Sequence, residues 1–83
     1  MLYMAQLRYP SEQRDALTRY FEQRGVTGHA DGLVLRGAWV AKTRHAHILL
    51  EARREEIVRE VCSTWSQFGE VSYEPVIDIN QIM

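Results

Sequence analysis

Hydrophobic side chains recur along the chain with two different spacings. Four segments rich in aliphatic and aromatic residues, with a period near two, predict β-strands at residues 2–9, 33–41, 45–52 and 70–79. Two segments with apolar residues three or four positions apart predict helices at residues 11–24 and 53–68. Gly25 and Gly69 stand just past these two segments, where glycine commonly ends a helix. The order of elements is therefore β-α-β-β-α-β.

This order predicts an α+β, ferredoxin-like fold. With right-handed crossovers it gives a four-stranded antiparallel sheet of order 4-1-3-2, with both helices on one face. At 83 residues, the whole chain 1–83 is expected to form one domain. Pro75 cannot donate to a ladder of backbone hydrogen bonds, which suits the fourth strand because that strand is an edge in this order. Gly37, inside the second strand, indicates a bulge or a close approach of another group.

Both faces of the predicted sheet carry apolar side chains, although a monomer with helices on one face is expected to be polar on the other. In the first strand, Leu7 lies on one side and Met4 on the other. A chain this short buries only about 60% of its unfolded surface, and its one cysteine, Cys62, permits no internal disulfide. We therefore expect a homodimer in which two sheets pack face to face as a dimeric α/β barrel, with the tail Ile79–Met83 reaching the partner.

Charge and composition narrow the class of protein. Ten basic against eleven acidic side chains give a formal net charge of −1, without the basic excess expected of a nucleic-acid-binding protein. No apolar run reaches the length of a membrane span, and the first residues lack the pattern of a signal peptide. The single thiol fits a reducing compartment. We expect a soluble, cytoplasmic protein with no nucleic-acid or membrane partner.

Four stretches resemble a known family: MLYMAQLRYP, GLVLRGAWV, STWSQFGEVSYEPV and INQIM. This small bacterial family is catalogued as a domain of unknown function, and the similarity covers nearly the whole chain. The family looks like a member of the dimeric α/β-barrel superfamily, with muconolactone isomerase and small cofactor-free monooxygenases as relatives. The resemblance implies a ferredoxin-like dimer that binds small, often aromatic compounds in its interior, and it implies no particular catalytic residue. Arg53 and Arg54 depart from the acidic start expected for the second helix.

His45 and His47 are a candidate site because residues two apart on a strand share a face. On the predicted third strand they would point toward the interior of the dimer. Two imidazoles at this spacing can bind one transition metal, and Glu51, Asp31 or His29 would have to supply a third ligand. None of these three stands at a diagnostic spacing. We therefore expect a solvated or hydrogen-bonded pair, with no bound metal and no cofactor.

The second strand can face the histidines in two registers. A two-residue turn places Arg36 on the histidine face and forms an anion site of arginine and histidine. A three-residue turn pairs Trp39 with His47 instead and forms an aromatic slot, because a shift of one residue turns every side chain to the other face. No Asn-Gly or Asp-Gly turn in the sequence decides between them.

Four residues are candidate contacts for a planar ligand: Tyr3, Trp39, His45 and Tyr73. Together they offer the apolar walls and few polar groups that are typical of a small-molecule site. Packing within the dimer core is the competing use of the aromatic side chains. The glycines of residues 25–32 serve turns, since that segment follows a helix and lacks the context of a dinucleotide-binding loop.

The leading function is thus a homodimer that binds a small, partly aromatic molecule in its interior. One alternative is a cofactor-free isomerase or monooxygenase of the same architecture, in which His47 carries a proton and Arg36 stabilises an oxyanion. Another is a structural or regulatory dimer whose interior is filled by side chains. The sequence does not decide whether the protein is an enzyme.

Overall fold

The computed structural model describes residues 1–28 and 30–82. Its helices and strands are β1 Leu2–Arg8, α1 Arg14–Arg24, β2 Leu33–Ala41, β3 His45–Ala52, α2 Glu55–Trp65 and β4 Glu70–Val76, with 3-10 turns at Ser11–Gln13 and Ile79–Gln81. The four strands form one antiparallel sheet of order β2-β3-β1-β4. This is the predicted order counted from the other edge, so the α+β, ferredoxin-like fold is confirmed. Pro75 lies on the edge strand β4, as expected.

One face of the sheet, called the covered face here, holds the hydrophobic core. Every second residue of β1 and β3 is buried there: Tyr3, Ala5 and Leu7 from β1, and Ala46, Ile48, Leu50 and Ala52 from β3. The apolar stripe of α2 packs on them through Val58, Val61, Cys62 and Trp65. Trp65 is fully buried, and its indole N–H donates to the Val26 carbonyl oxygen at 3.0 Å. Each fully buried aliphatic side chain contributes about 1.5–3 kcal/mol to this core.

Cys62 belongs to the core, where it is buried among apolar side chains. Burial raises the pKa of the thiol to about 11, because a thiolate loses its hydration inside apolar surroundings. The side chain is therefore a neutral, unreactive thiol at physiological pH.

The second helix starts two residues later than the sequence predicts. Arg54 has an extended backbone, with φ −133° and ψ 140°, and α2 begins at Glu55. The first turn of α2 thus carries Glu55 and Glu56, whose negative charges favour the positive end of a helix dipole. Arg53 and Arg54 precede the helix, so the apparent conflict between two arginines and the helix start does not arise.

The fourth strand ends earlier than predicted, at Val76. The cause is local: the carboxylate of Asp78 accepts a hydrogen bond of 2.8 Å from the backbone N–H of Asn80. This contact caps the 3-10 turn Ile79–Gln81, in which the chain leaves the extended conformation of β4.

A bulge in β2 decides which side chains face the histidines. The turn Lys42–Arg44 has three residues and pairs Trp39 with His47, as one of the two predicted registers required. The register then shifts between Leu35 and Gly37, where β2 contains one extra residue. Arg36 occupies this bulge and reaches Glu51 on the histidine face. The two registers were predicted to be exclusive, but the bulge puts both Trp39 and Arg36 on that face.

Candidate functional site

The second face of the sheet, called the open face here, is not covered by any helix within residues 1–28 and 30–82. Cross-strand pairing arranges its side chains in four rows that run from β2 through β3 and β1 to β4. Two rows form what we call the polar half: Ala41, His45, Arg8 and Glu70, then Trp39, His47, Gln6 and Ser72. Two further rows form the apolar half: Gly37, Leu49, Met4 and Glu74, then Val34, Glu51, Leu2 and Val76. The face therefore changes character along the strands, from polar at one end to apolar at the other.

The polar half places three nitrogen-bearing side chains together. The rings of His45 and His47 lie with centroids 4.5 Å apart and planes tilted by 31°. Arg8 lies directly across from His45 on one side and Glu70 on the other. In the described part of the chain, no carboxylate comes within 4.0 Å of its guanidinium, so this cation has no ion-pair partner. Such a cluster can bind an anionic group through charge-assisted hydrogen bonds.

A groove of about 300 Å³ opens in this half. It is lined by Gln6, Arg8, His45, Glu70, Val71 and Ser72. Its size lies at the lower end for small-molecule sites, which usually measure about 300–1,000 Å³. In one copy the groove is open to solvent on the side away from the sheet, so a ligand there would be covered by protein on one side only.

Trp39 forms an aromatic wall at the β2 edge of the open face. Its side chain is 57% exposed, which is unusual for the largest apolar residue of a small protein. The ring lies over Gly37: a Cβ added to that glycine would stand only 2.8 Å from Cζ2 of Trp39. Gly37 therefore has a definite role, since it leaves room for the indole to lie flat along the strand.

The apolar half is flanked by one ion pair. Nε of Arg36 donates to Oε1 of Glu51 at 2.7 Å, and Nη2 lies 2.5 Å from the same oxygen. Both side chains are about half exposed, so this pair contributes at most about 1 kcal/mol in a single copy. A shallow cavity of about 490 Å³ lies beside it, bounded by Leu2, Leu49, Val76 and Ile77 among others.

Two of the four predicted ligand contacts lie on the wrong face for that role. Tyr3 is buried on the covered face, where it packs edge to face against Tyr73 with ring centroids 6.3 Å apart. The Tyr73 hydroxyl donates to the Glu55 carboxylate at 3.0 Å. Loss of hydration, together with this hydrogen bond, raises the pKa of Tyr73. Trp39 and His45 lie on the open face, so the prediction of one pocket shared by all four is corrected.

The prediction that His47 and Arg36 act side by side in one site is also changed by the structure. Arg36 bonds to Glu51, which lies four residues from His47 on β3, or about 13 Å along the strand. Within one copy the two groups belong to opposite halves of the open face. Arg8, which was not among the predicted site residues, is the cation next to the histidines. Its position was accessible from the sequence, because it shares the period-two pattern of Leu2, Met4 and Gln6.

Metal-binding groups do not converge in the part of the chain that the structure describes. No three side chains of His, Cys, Asp or Glu in residues 1–28 and 30–82 stand close enough together to hold a metal ion. Glu51 is engaged by Arg36, and His29, the third candidate ligand, lies outside the described residues. That the histidine pair binds no metal stays a prediction.

Comparison with known proteins places the chain in a family. Residues 1–83 match the family model described as "Domain of unknown function (DUF3303)". The chain belongs to this DUF3303 family. A comparison with curated proteins finds no match. Within the described residues, no helix combines the length and the apolar character needed to cross a membrane.

Two crystal structures of similar proteins carry the same fold. One is an uncharacterized NIPSNAP domain protein from Burkholderia xenovorans, with a TM-score of 0.58, 8% identity, and coverage of 94% of this chain and 95% of that one. The other is the protein Atu4242 from Agrobacterium tumefaciens, with a TM-score of 0.57, 13% identity, and coverage of 95% and 96%. At these identities the similarity shows the shared fold alone. The DUF3303 chain thus has ferredoxin-like neighbours that cover 94–95% of its length.

Proposed function

We propose that this DUF3303 protein is a homodimer that packs its two open faces together and encloses a small, partly aromatic molecule between the polar halves. The observation that carries the proposal is the division of the open face into an apolar half and a polar half. One half supplies the surface for association, and the other supplies the groups for binding. The two together make up a dimeric α/β barrel.

The apolar half supports the dimer because it leaves hydrophobic side chains in water in a single copy. Val34 is 48% exposed, and Leu2, Met4, Leu49 and Val76 are only partly buried. Burying such surface is worth about 25 cal/mol per Å². A contiguous patch of this kind on a protein surface usually marks an interface. Sheets that pack face to face stand about 10 Å apart, which leaves room for one layer of interdigitated side chains from each copy.

The tail that follows β4 adds to this surface. Ile77 and Ile79 are more than 60% exposed and stand on either side of Asp78, the residue that caps the turn Ile79–Gln81. Ile77 and Gln81 line the cavity at the apolar end of the open face, together with Val76. We propose that residues 77–82 pack on the second copy; Met83, the last residue of the predicted tail, lies outside the described residues.

The polar half supports ligand binding through complementary groups. Trp39 offers an indole face for an aromatic ring, a stacking contact worth about 0.5–1.5 kcal/mol beyond the buried area. His45 and Arg8 line the groove, and His47 lies beside His45, so these three side chains offer donors for an anionic or carbonyl group. Closing a second sheet over them would remove water and strengthen these contacts.

A second candidate function is catalysis by the same architecture, as a cofactor-free isomerase or monooxygenase. His47 supports it, because this imidazole sits between Trp39 and Gln6 in the centre of the polar half. There it would carry a proton between positions of a bound substrate. Arg8 is better placed than Arg36 to stabilise an oxyanion beside it.

Sedimentation and ligand screening test the proposal together. Analytical ultracentrifugation at micromolar concentration should show a dimer; a stable, well-folded monomer would refute it. Thermal-shift measurements with benzoate, salicylate, catechol and indole should raise the melting temperature of the wild type for at least one probe. That shift should vanish in Trp39→Ala and His47→Ala, while Tyr73→Phe, on the covered face, keeps it.

The remaining outcomes separate the alternatives. A dimer that responds to no probe, with a dry interior in a crystal structure, would favour the structural or regulatory dimer. If a substrate is found and His47→Ala turns it over at the wild-type rate, the proton-carrier role of His47 is wrong.

A further inference from the structure

We infer that the two copies are related by a two-fold axis parallel to the strands, so that β2 of each copy lies opposite β4 of the other. This inference rests on the proposed homodimer and names the geometry of its interface. Two sheets that pack face to face have two simple symmetric arrangements. An axis along the strands sets β2 over β4, whereas an axis across the strands sets β2 over β2.

The first observation is that the two edges of the sheet carry opposite charge. Residues 33–44, which form β2 and its turn, contain Arg36, Lys42 and Arg44 and no carboxylate. Residues 70–82, which form β4 and the tail, contain Glu70, Glu74 and Asp78 and no lysine or arginine. An axis along the strands brings the basic edge of one copy over the acidic edge of the other. An axis across the strands would set like charges against each other at both edges, which is unfavourable.

The second observation is independent of edge charge. The polar and apolar halves of the open face lie at opposite ends of the strands. An axis along the strands keeps the ends in place, so apolar half meets apolar half and polar half meets polar half. An axis across the strands would press the polar half of each copy onto the apolar half of the other, and buried polar groups without partners are costly. Both observations select the same axis.

Individual rows agree with this arrangement. Val34 and Val76 occupy the same row at the two edges and would meet as an apolar pair. Arg36 would lie near Glu74 of the second copy, and its guanidinium has donors left after bonding Glu51. At the other end of the sheet, Lys42 would lie near Glu70 of the second copy.

The arrangement also means that the ligand site is incomplete in one copy. With this axis, β3 of one copy lies over β1 of the other, so His45 and His47 face Arg8 and Gln6 of the second copy. The two polar halves then line one shared, two-fold symmetric chamber. The side chains that line the open groove in a single copy then form part of the wall of that chamber.

Lys42 provides a specific probe, because it is the only lysine in the sequence. A carbodiimide joins an amine to a carboxylate in direct contact without a spacer. A mixture of ¹⁴N- and ¹⁵N-labelled dimer should give a mixed-isotope peptide linking Lys42 to Glu70. Lys42→Arg keeps the charge and should abolish this link while the protein stays dimeric. A link from Lys42 to Asp31, which precedes β2, would indicate the axis across the strands and overturn the inference, as would a dimer with no link from Lys42.

A charge-reversal cycle gives a second, independent readout. Glu74→Lys and Arg36→Glu should each weaken the dimer at least several-fold, since each sets like charges together across the interface. The double variant should recover much of the lost affinity, and Glu22→Lys on α1 should leave the dissociation constant unchanged. Single variants with wild-type affinity would overturn the orientation alone. A wild-type monomer in sedimentation would overturn the proposed homodimer as well.

Discussion

Both faces of the sheet carry large apolar side chains, yet only one of them is covered by other elements of the same chain. On the covered face, Leu50 and Ile48 are at most 1% exposed beneath α2, and Trp65 makes its hydrogen bond inside the core. On the open face, Leu49 is partly exposed beside Leu50, and Trp39 is 57% exposed. Adjacent residues on β3 thus differ in environment although they are chemically identical.

This difference means that the stability of one copy and its proposed association and binding depend on different faces of the sheet. The covered face accounts for the stability of one copy, because its side chains contact each other and exclude water. The open face adds little to that stability and keeps apolar and ionisable groups in reach of a second copy or a ligand. Variants placed on one face or the other can therefore test the proposals separately.

The largest effect is expected from the adjacent pair Leu50 and Leu49. Leu50→Ala should lower the free energy of unfolding by about 2–5 kcal/mol, because it leaves a cavity in a fully buried site. Chemical denaturation at two protein concentrations should show this loss equally at both. Leu49→Ala should cost stability mainly at the higher concentration, where the dimer forms. Equal losses at low concentration would mean that the open face is part of the single-chain core.

The next effect concerns association. Met4→Glu places a charge in the centre of the apolar half and should weaken the dimer at least about 100-fold, or roughly 3 kcal/mol, because the carboxylate would be buried without a partner. Gln6→Glu is the matched control, on the same strand and face but in the polar half. It should change the dissociation constant far less. Comparable losses in both variants would argue against the division of the open face.

A smaller effect is expected from the pH dependence of the covered face. The pKa of the Cys62 thiol rises from an ordinary value of 9.0 in the unfolded chain to about 11 in the folded protein. The contribution of the neutral Cys62 thiol to the free energy of unfolding is fully present below pH 9. It is lost as the pH rises toward 11, because in that window the thiol ionises readily only in the unfolded chain. The loss by pH 11 amounts to about 2 kcal/mol. Urea titrations from pH 8 to pH 11 should show it in the wild type and not in Cys62→Ala, once the shared titration of tyrosines is subtracted.

The smallest expected effect is a local one at the aromatic wall. Gly37→Ala should displace the Trp39 ring from the strand, since the new methyl would overlap it. The fold should tolerate this change because the ring is exposed on one side. Fluorescence of Trp39, isolated by comparison with Trp39→Phe, should shift, and any probe that stacks on the indole should bind more weakly. Unchanged fluorescence would contradict the contact between Gly37 and Trp39.

Arg8 shows which features of the candidate site a sequence pattern can predict and which it cannot. The period-two pattern of β1 places it on the same face as Met4, but its neighbours His45 and Glu70 are 37 and 62 residues away in the chain. Only the pairing of β1 with β3 and β4 brings them together. Tyr3 and Tyr73 illustrate the converse, because each looked suitable for a pocket and both lie under the helices.

The sequence by itself determined the order of elements, the edge position of Pro75 and the presence of two apolar faces, because these depend on local periodicity and backbone chemistry. The tertiary structure decided which side chains share the open face. One extra residue at Arg36 reverses the alternation of β2, and no local pattern reveals where along the strand that reversal occurs. Contacts across a sheet depend on register between distant segments, so the site emerged only when the strands were paired.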